Sequence, residues 1–112
     1  MSGRRTVAEY VDAPAHAGPV EGAARLGEAA ADGRIVRIGL FPDGRARFRA
    51  SACASLIAYA EAACEALEGG VAAARLDAAG LRERVAGVHP GHRDRATLVA
   101  AAVARAIHRE EP

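Results

Sequence analysis

Residues 34–70 read RIVRIGLFPDGRARFRASACASLIAYAEAACEALEGG, and the hydrophobic period changes inside this stretch from two residues to that of a helix. In its first part Val36, Ile38 and Leu40 fall on one face of an extended segment, with Ile35, Arg37 and Gly39 on the other. Pro42-Asp43-Gly44 supplies a proline preset for the first turn position and a glycine free to close the turn. A second extended segment follows, with Ala46, Phe48 and Ala50 inward and Arg45, Arg47 and Arg49 outward. After Ser51, read as an N-cap, the apolar positions Cys53, Leu56, Ile57, Ala60, Cys64 and Leu67 recur at helical spacing until Gly69-Gly70.

Upstream, Asp32-Gly33 has the residue types of a two-residue type I′ hairpin, because both central positions need positive φ. It joins the strand at 34–40 to an earlier and weaker one, ARLGEAA. Residues 1–22, with Pro14, Gly18, Pro19 and Gly22, read as an N-terminal arm holding one short helical turn near Val7 to Val11. Downstream, Asp77 can cap a short helix through Val85, and Gly87 to Gly91 form a loop with His89, Pro90 and then His92. A last helix from about Asp94 to His108 buries Leu98, Val99, Ala102, Val103 and Ile107. Strands followed by helices predict one α+β domain over residues 23–112, a three-stranded antiparallel meander with helices packed on one face.

A chain of 112 residues suits a single domain. Apolar residues make up 51% of it but aromatics only 4%, so the core must consist of closely packed small side chains. Such a core buries little area per residue, which makes a stabilising partner, metal or second copy of the chain a natural expectation. With 15 basic against 14 acidic residues the net charge is +1, which argues against a nucleic-acid partner. No apolar run reaches the ~18 residues of a membrane span, and the N-terminus lacks a signal peptide's apolar stretch, so a cytoplasmic protein with no membrane partner is expected. Cys53 and Cys64 on one helix would sit ~16 Å apart, too far to bridge.

The stretch ARFRASACASLIAYAEAACEALEGG (46–70) resembles the NifU/IscU iron-sulfur cluster assembly scaffold domain. In that family a strand with an aromatic-basic-small ending runs into a cluster-ligating cysteine, at the start of a long small-residue helix that ends at glycine. Cys53 falls on that cysteine. GPVEGAARLGEAA (18–30) is similar to the family's lead-in, and VHPGHRDRATLVAAAVARAI (88–107) to its proline loop and terminal helix. The family's first ligand loop corresponds to the shorter AAADGR (29–34), with Asp32 near the cysteine position and Arg34 at the family's aspartate. Its His-Cys pair falls on Asp94 and Arg95. The resemblance therefore implies the family's fold with one ligand cysteine kept and an arginine at another ligand position. Clusters are held by about four thiolates or by thiolates with imidazoles, so one thiolate cannot hold a cluster alone.

Cys53 is accordingly the leading candidate, for a shared iron-sulfur cluster or for a persulfide. A helix N-terminus and a nearby Arg95 would lower its pKa and raise its reactivity. The plainer alternative is a buried thiol that fills an alanine-rich stripe, which also explains Cys64. Asp32, Cys53, His92 and Asp94 together would make a mixed oxygen, nitrogen and sulfur site for zinc or iron. Against that stand turn chemistry for Asp32, capping for Asp94 and a solvated loop for His92. His16, His89 and His108 read as surface residues. Arg37, Arg45, Arg47 and Arg49 form a basic stripe, either a solvated face or a dock for an acidic partner. No phosphate loop or nucleophile-base signature supports an enzyme. The functional expectation is a divergent scaffold-like accessory or carrier that meets a cysteine desulfurase or an iron-sulfur client, with an iron-sulfur cluster, iron, zinc or no cofactor. The alternatives are a metal-free protein-binding pseudo-scaffold and a small zinc or iron protein.

Overall fold

The structure, a computed structural model, describes residues 4–108. It is an α+β arrangement around a three-stranded antiparallel sheet of β2 (Arg25–Ala31), β3 (Arg34–Leu40) and β4 (Ala46–Ala50), in the order β2-β3-β4. The meander follows from its turns. Asp32 and Gly33 take φ of 54° and 78°, the positive pair that a type I′ hairpin requires, and this sets Ala31 opposite Arg34. Gly44 takes φ of 93° and closes the second turn, its N–H donating to the Phe41 carbonyl at 3.0 Å.

Val36, Ile38, Ala46 and Phe48 are buried on the face that receives α2 (Ala54–Glu68) and α4 (Arg95–Ile107). The weak strand β2 owes its sequence to α4. A Cβ on Gly27 would lie 2.0 Å from the Ala102 carbonyl oxygen and 2.4 Å from the Ala106 nitrogen, so glycine lets strand and helix backbones touch.

The sequence suggests a single apolar stripe on α2, but the helix is buried nearly all round. Tyr59, Ala62, Ala63 and Ala66 join Leu56, Ala60 and Cys64 in the core. The extra cover comes from the N-terminal arm. Its helix α1 (Val7–Asp12) is fixed by a capping box between Thr6 and Glu9 and lays Tyr10 into the core. Farther along, Ala17 bridges Phe48 in parallel at the β4 edge. A two-residue parallel pair, β1 (Arg5–Thr6) with β5 (Val85–Ala86), lies outside the main sheet. Asp77 caps α3 (Ala78–Arg84) as expected, accepting from the Gly80 N–H at 2.8 Å.

Ser51 does not cap α2. Its hydroxyl accepts the Ile35 N–H at 2.9 Å, closing the end of β4 onto β3, and Cys53 takes the N-cap position. No helix among the described residues is long and apolar enough to cross a membrane.

Candidate functional site

Cys53 stands where β4 has ended and α2 begins, in extended backbone with φ of −140°. Both cysteines are free thiols, Cys53 partly exposed and Cys64 fully buried. The N–H groups of a helix's first turn have no partners within the helix, so a group at the N-cap meets open donors and the positive end of the helix dipole. The Cys53 sulfur makes no strict cap hydrogen bond. It nevertheless faces the Leu56 N–H closely enough for that donor to stabilise a thiolate.

Two guanidiniums complete the surroundings. Burial by itself would raise the Cys53 thiol, but the Leu56 N–H, Arg95 and Arg34 outweigh it and hold the pKa below the ordinary thiol value. Cys64 goes the other way. Desolvation first, then the carboxylates of Glu61 and Glu68, push its thiol well up and leave it inert.

Arg95 is an unusual residue for the first turn of a helix on a sheet. Its side chain is only 9% exposed, and Nη1 donates to Asp94 Oδ1 at 2.7 Å. Its Nε is buried with no hydrogen-bond partner. A buried donor left unmade costs about 1–3 kcal/mol, and the same guanidinium bears first on the Cys53 sulfur and then on Asp94, which together hold Arg95 above its ordinary pKa.

Asp32, Arg34, Asp94, Arg95 and Arg105 line one cleft of about 300 Å³ between the β2–β3 hairpin tip and α4. The four expected metal ligands do not converge. Among the described residues no three His, Cys, Asp or Glu side chains come together as a metal-binding group. The reasons are local: Asp32 sits exposed at the hairpin tip, Asp94 is engaged by Arg95, and His92 Nδ1 lies 3.3 Å from the Ser55 hydroxyl. Asp94 does not serve as a side-chain cap either. Among the described residues two guanidiniums, and no second metal-ligating side chain, act on the sulfur, and fixed cations favour an anion over a metal ion there.

The basic stripe is largely discharged in place. Arg37 pairs with Glu28 at 2.8 Å, Arg45 with Asp43 at 2.7 Å, and Arg47 with Glu68 at 2.8 Å.

Two features lay beyond the sequence reading. Arg105 is ten residues from Arg95 and joins the cleft only through the path of α4. His16 is not a surface residue, because its side chain is 13% exposed and held between Glu61 and Glu68. A glutamate flanked by AYA and AAC inside a small-residue helix was the available signal, since a buried carboxylate requires a partner.

No protein-family model matches the chain, and no curated protein matches it.

Proposed function

We propose that this chain is a divergent, ligand-depleted scaffold-like protein of the NifU/IscU type that carries sulfur on Cys53, as a cytoplasmic accessory between a cysteine desulfurase and an iron-sulfur client. The observation that carries the reading is the partly exposed free thiol of Cys53 at the start of α2, where Arg95 and Arg34 favour its thiolate, while Cys64 is fully buried. The order of the antiparallel meander, the long small-residue helix opening at Cys53 and the terminal helix also agrees with what the sequence resemblance implies.

The chemistry is thiol exchange. The Cys53 thiolate attacks the outer sulfur of a donor persulfide, a sulfur–sulfur bond forms at Cys53, the donor's bond breaks, and the donor leaves as its thiolate. A persulfide at Cys53 is itself anionic, and the buried Arg95 guanidinium compensates that charge. No metal takes part in this step.

Incubation with a cysteine desulfurase and free cysteine, followed by intact mass measurement, tests the reading. One added sulfur on the wild type and on Cys64→Ala, but none on Cys53→Ser, is the expected result. Sulfur on Cys64, or a Cys53 unreactive until the protein is denatured, would replace the carrier by a metal-free protein-binding module. Stoichiometric zinc or iron after both aerobic and anaerobic purification would instead favour the metal-protein alternative.

A further inference from the structure

The cleft that shares Arg34 and Arg95 with Cys53 has the chemistry of a small-molecule site. Small apolar side chains such as Ala30 and Leu98 line it together with Arg34, Arg95 and Arg105 and the carboxylates of Asp32 and Asp94, of which Asp94 is paired with Arg95. A space of about 300 Å³ is at the small end of ligand pockets and corresponds to about ten waters, the size of a small organic acid. Two of the guanidiniums also serve the cysteine. Cys53 does not line the cleft, yet Arg34 and Arg95, which do, both bear on its sulfur.

The second observation is Arg95 itself, a cleft-lining side chain nine-tenths buried, whose Nε finds no partner. Asp94 satisfies Nη1 and leaves this donor open. Arg105, by contrast, makes one Nη1 hydrogen bond, to the Glu28 carbonyl at 2.8 Å, and has further donors to offer.

We infer that this cleft binds a small thiol-derived molecule bearing a carboxylate, its carboxylate on Arg105 and Arg34 and its sulfur turned past Arg95 toward Cys53. The bound molecule is a persulfide donor or disulfide partner of Cys53, so the inference rests on the sulfur-carrier reading and names its substrate class. In the disulfide case the Cys53 thiolate attacks one sulfur, the partner's sulfur–sulfur bond breaks, a mixed disulfide forms, and one carboxylate-bearing thiolate leaves with its electron pair. Apolar walls suit the methylene chain of such a molecule, and guanidinium forks suit its carboxylate.

Three symmetric disulfides of similar size test this: 3,3′-dithiodipropionate, which is anionic, 2-hydroxyethyl disulfide, which is neutral, and cystamine, which is cationic. Rates of mixed-disulfide formation at Cys53 are measured on the full chain at one pH. The anionic reagent should react faster than the neutral one by about tenfold, the size of one charge-assisted contact, and its rate should saturate with concentration. Arg105→Ala should remove that preference, bringing the anionic reagent's rate down to that of the neutral one, because the cleft then loses a guanidinium that holds the carboxylate. Arg45→Ala, an equal change of charge outside the cleft, should leave the preference in place. Equal rates for all three reagents, or equal effects of the two arginine variants, would overturn the cleft assignment while leaving the sulfur carrier intact. A Cys53 inert to every reagent would instead remove the carrier reading on which the assignment rests.

Discussion

His16 Nδ1 lies 2.5 Å from Oε2 of Glu61, a carboxylate buried in the middle of α2. The same histidine's backbone N–H donates to Glu61 Oε1 at 2.8 Å, and its Nε2 lies 2.9 Å from Glu68. One residue of the N-terminal arm therefore neutralises the central helix and holds the arm along the β4 edge, where the Phe48 N–H donates to the His16 carbonyl at 2.9 Å.

This contact makes stability depend on pH. Burial alone would lower the His16 pKa, but hydrogen bonds to Glu61 and Glu68 outweigh it and hold it above its ordinary 6.5. A raised folded pKa gives stability that is complete below 6.5 and is lost as pH climbs through the folded value. Glu68 is held below its ordinary 4.5, first by the Ala46 N–H and then by His16 and Arg47, so its contribution is complete above 4.5 and fades on acidification. Denaturant unfolding across pH should show a maximum between these limits. His16→Ala should lower that maximum by about 2 kcal/mol and remove the alkaline decline. Parallel profiles for the two proteins would show that His16 is not the titrating group.

The two cysteines should separate cleanly under alkylation at graded pH, read by peptide mass. Cys53 reacts first and with the lower apparent pKa, because Leu56, Arg95 and Arg34 favour its thiolate while Cys64 is buried. Arg95→Ala raises the Cys53 value, and Cys64→Ala leaves it nearly unchanged. An unchanged pKa in Arg95→Ala would assign the effect to the helix N-terminus alone.

Anaerobic reconstitution with iron and sulfide should leave the monomer without a stoichiometric cluster. One thiolate among arginines offers neither the donors nor the charge that cluster iron requires. Visible absorption with iron and sulfide counting checks it, and a full cluster on monomeric protein would contradict the ligand assignment.

Gly27→Ala should destabilise the protein by more than about 2 kcal/mol, since the added methyl meets α4 backbone that cannot swing aside. Gly18→Ala is the control. Its Cβ would lie 3.7 Å from the flexible Arg47 side chain, and the change should stay within about 0.5 kcal/mol. Urea unfolding of the pair measures the difference, and equal midpoints would refute the close approach of β2 to α4.

The meander was legible in the sequence because its determinants are local. Asp32-Gly33 and Pro42-Asp43-Gly44 dictate their turns within four residues, and alternation along 34–40 and 46–50 sets the buried face once the register is chosen. Helix α2 and its start near Cys53 were legible for the same reason, from a change of period and a glycine pair. The near-complete burial of α2 was not. Alanine carries little amphipathic signal, so whether a face meets solvent or another element depends on what packs there, and here the arm does. The same holds for the chemistry. The sequence placed Cys53 at a helix start, and the resemblance put Arg95 near it, but only the tertiary structure decided that Arg34, 61 positions before Arg95, also bears on its sulfur, that Asp32 and Asp94 line a cleft without joining it as ligands, and that His16 meets Glu61. Pairings between residues so distant follow from how β2, α4 and the arm close around the sheet, a packing outcome that no local spacing encodes.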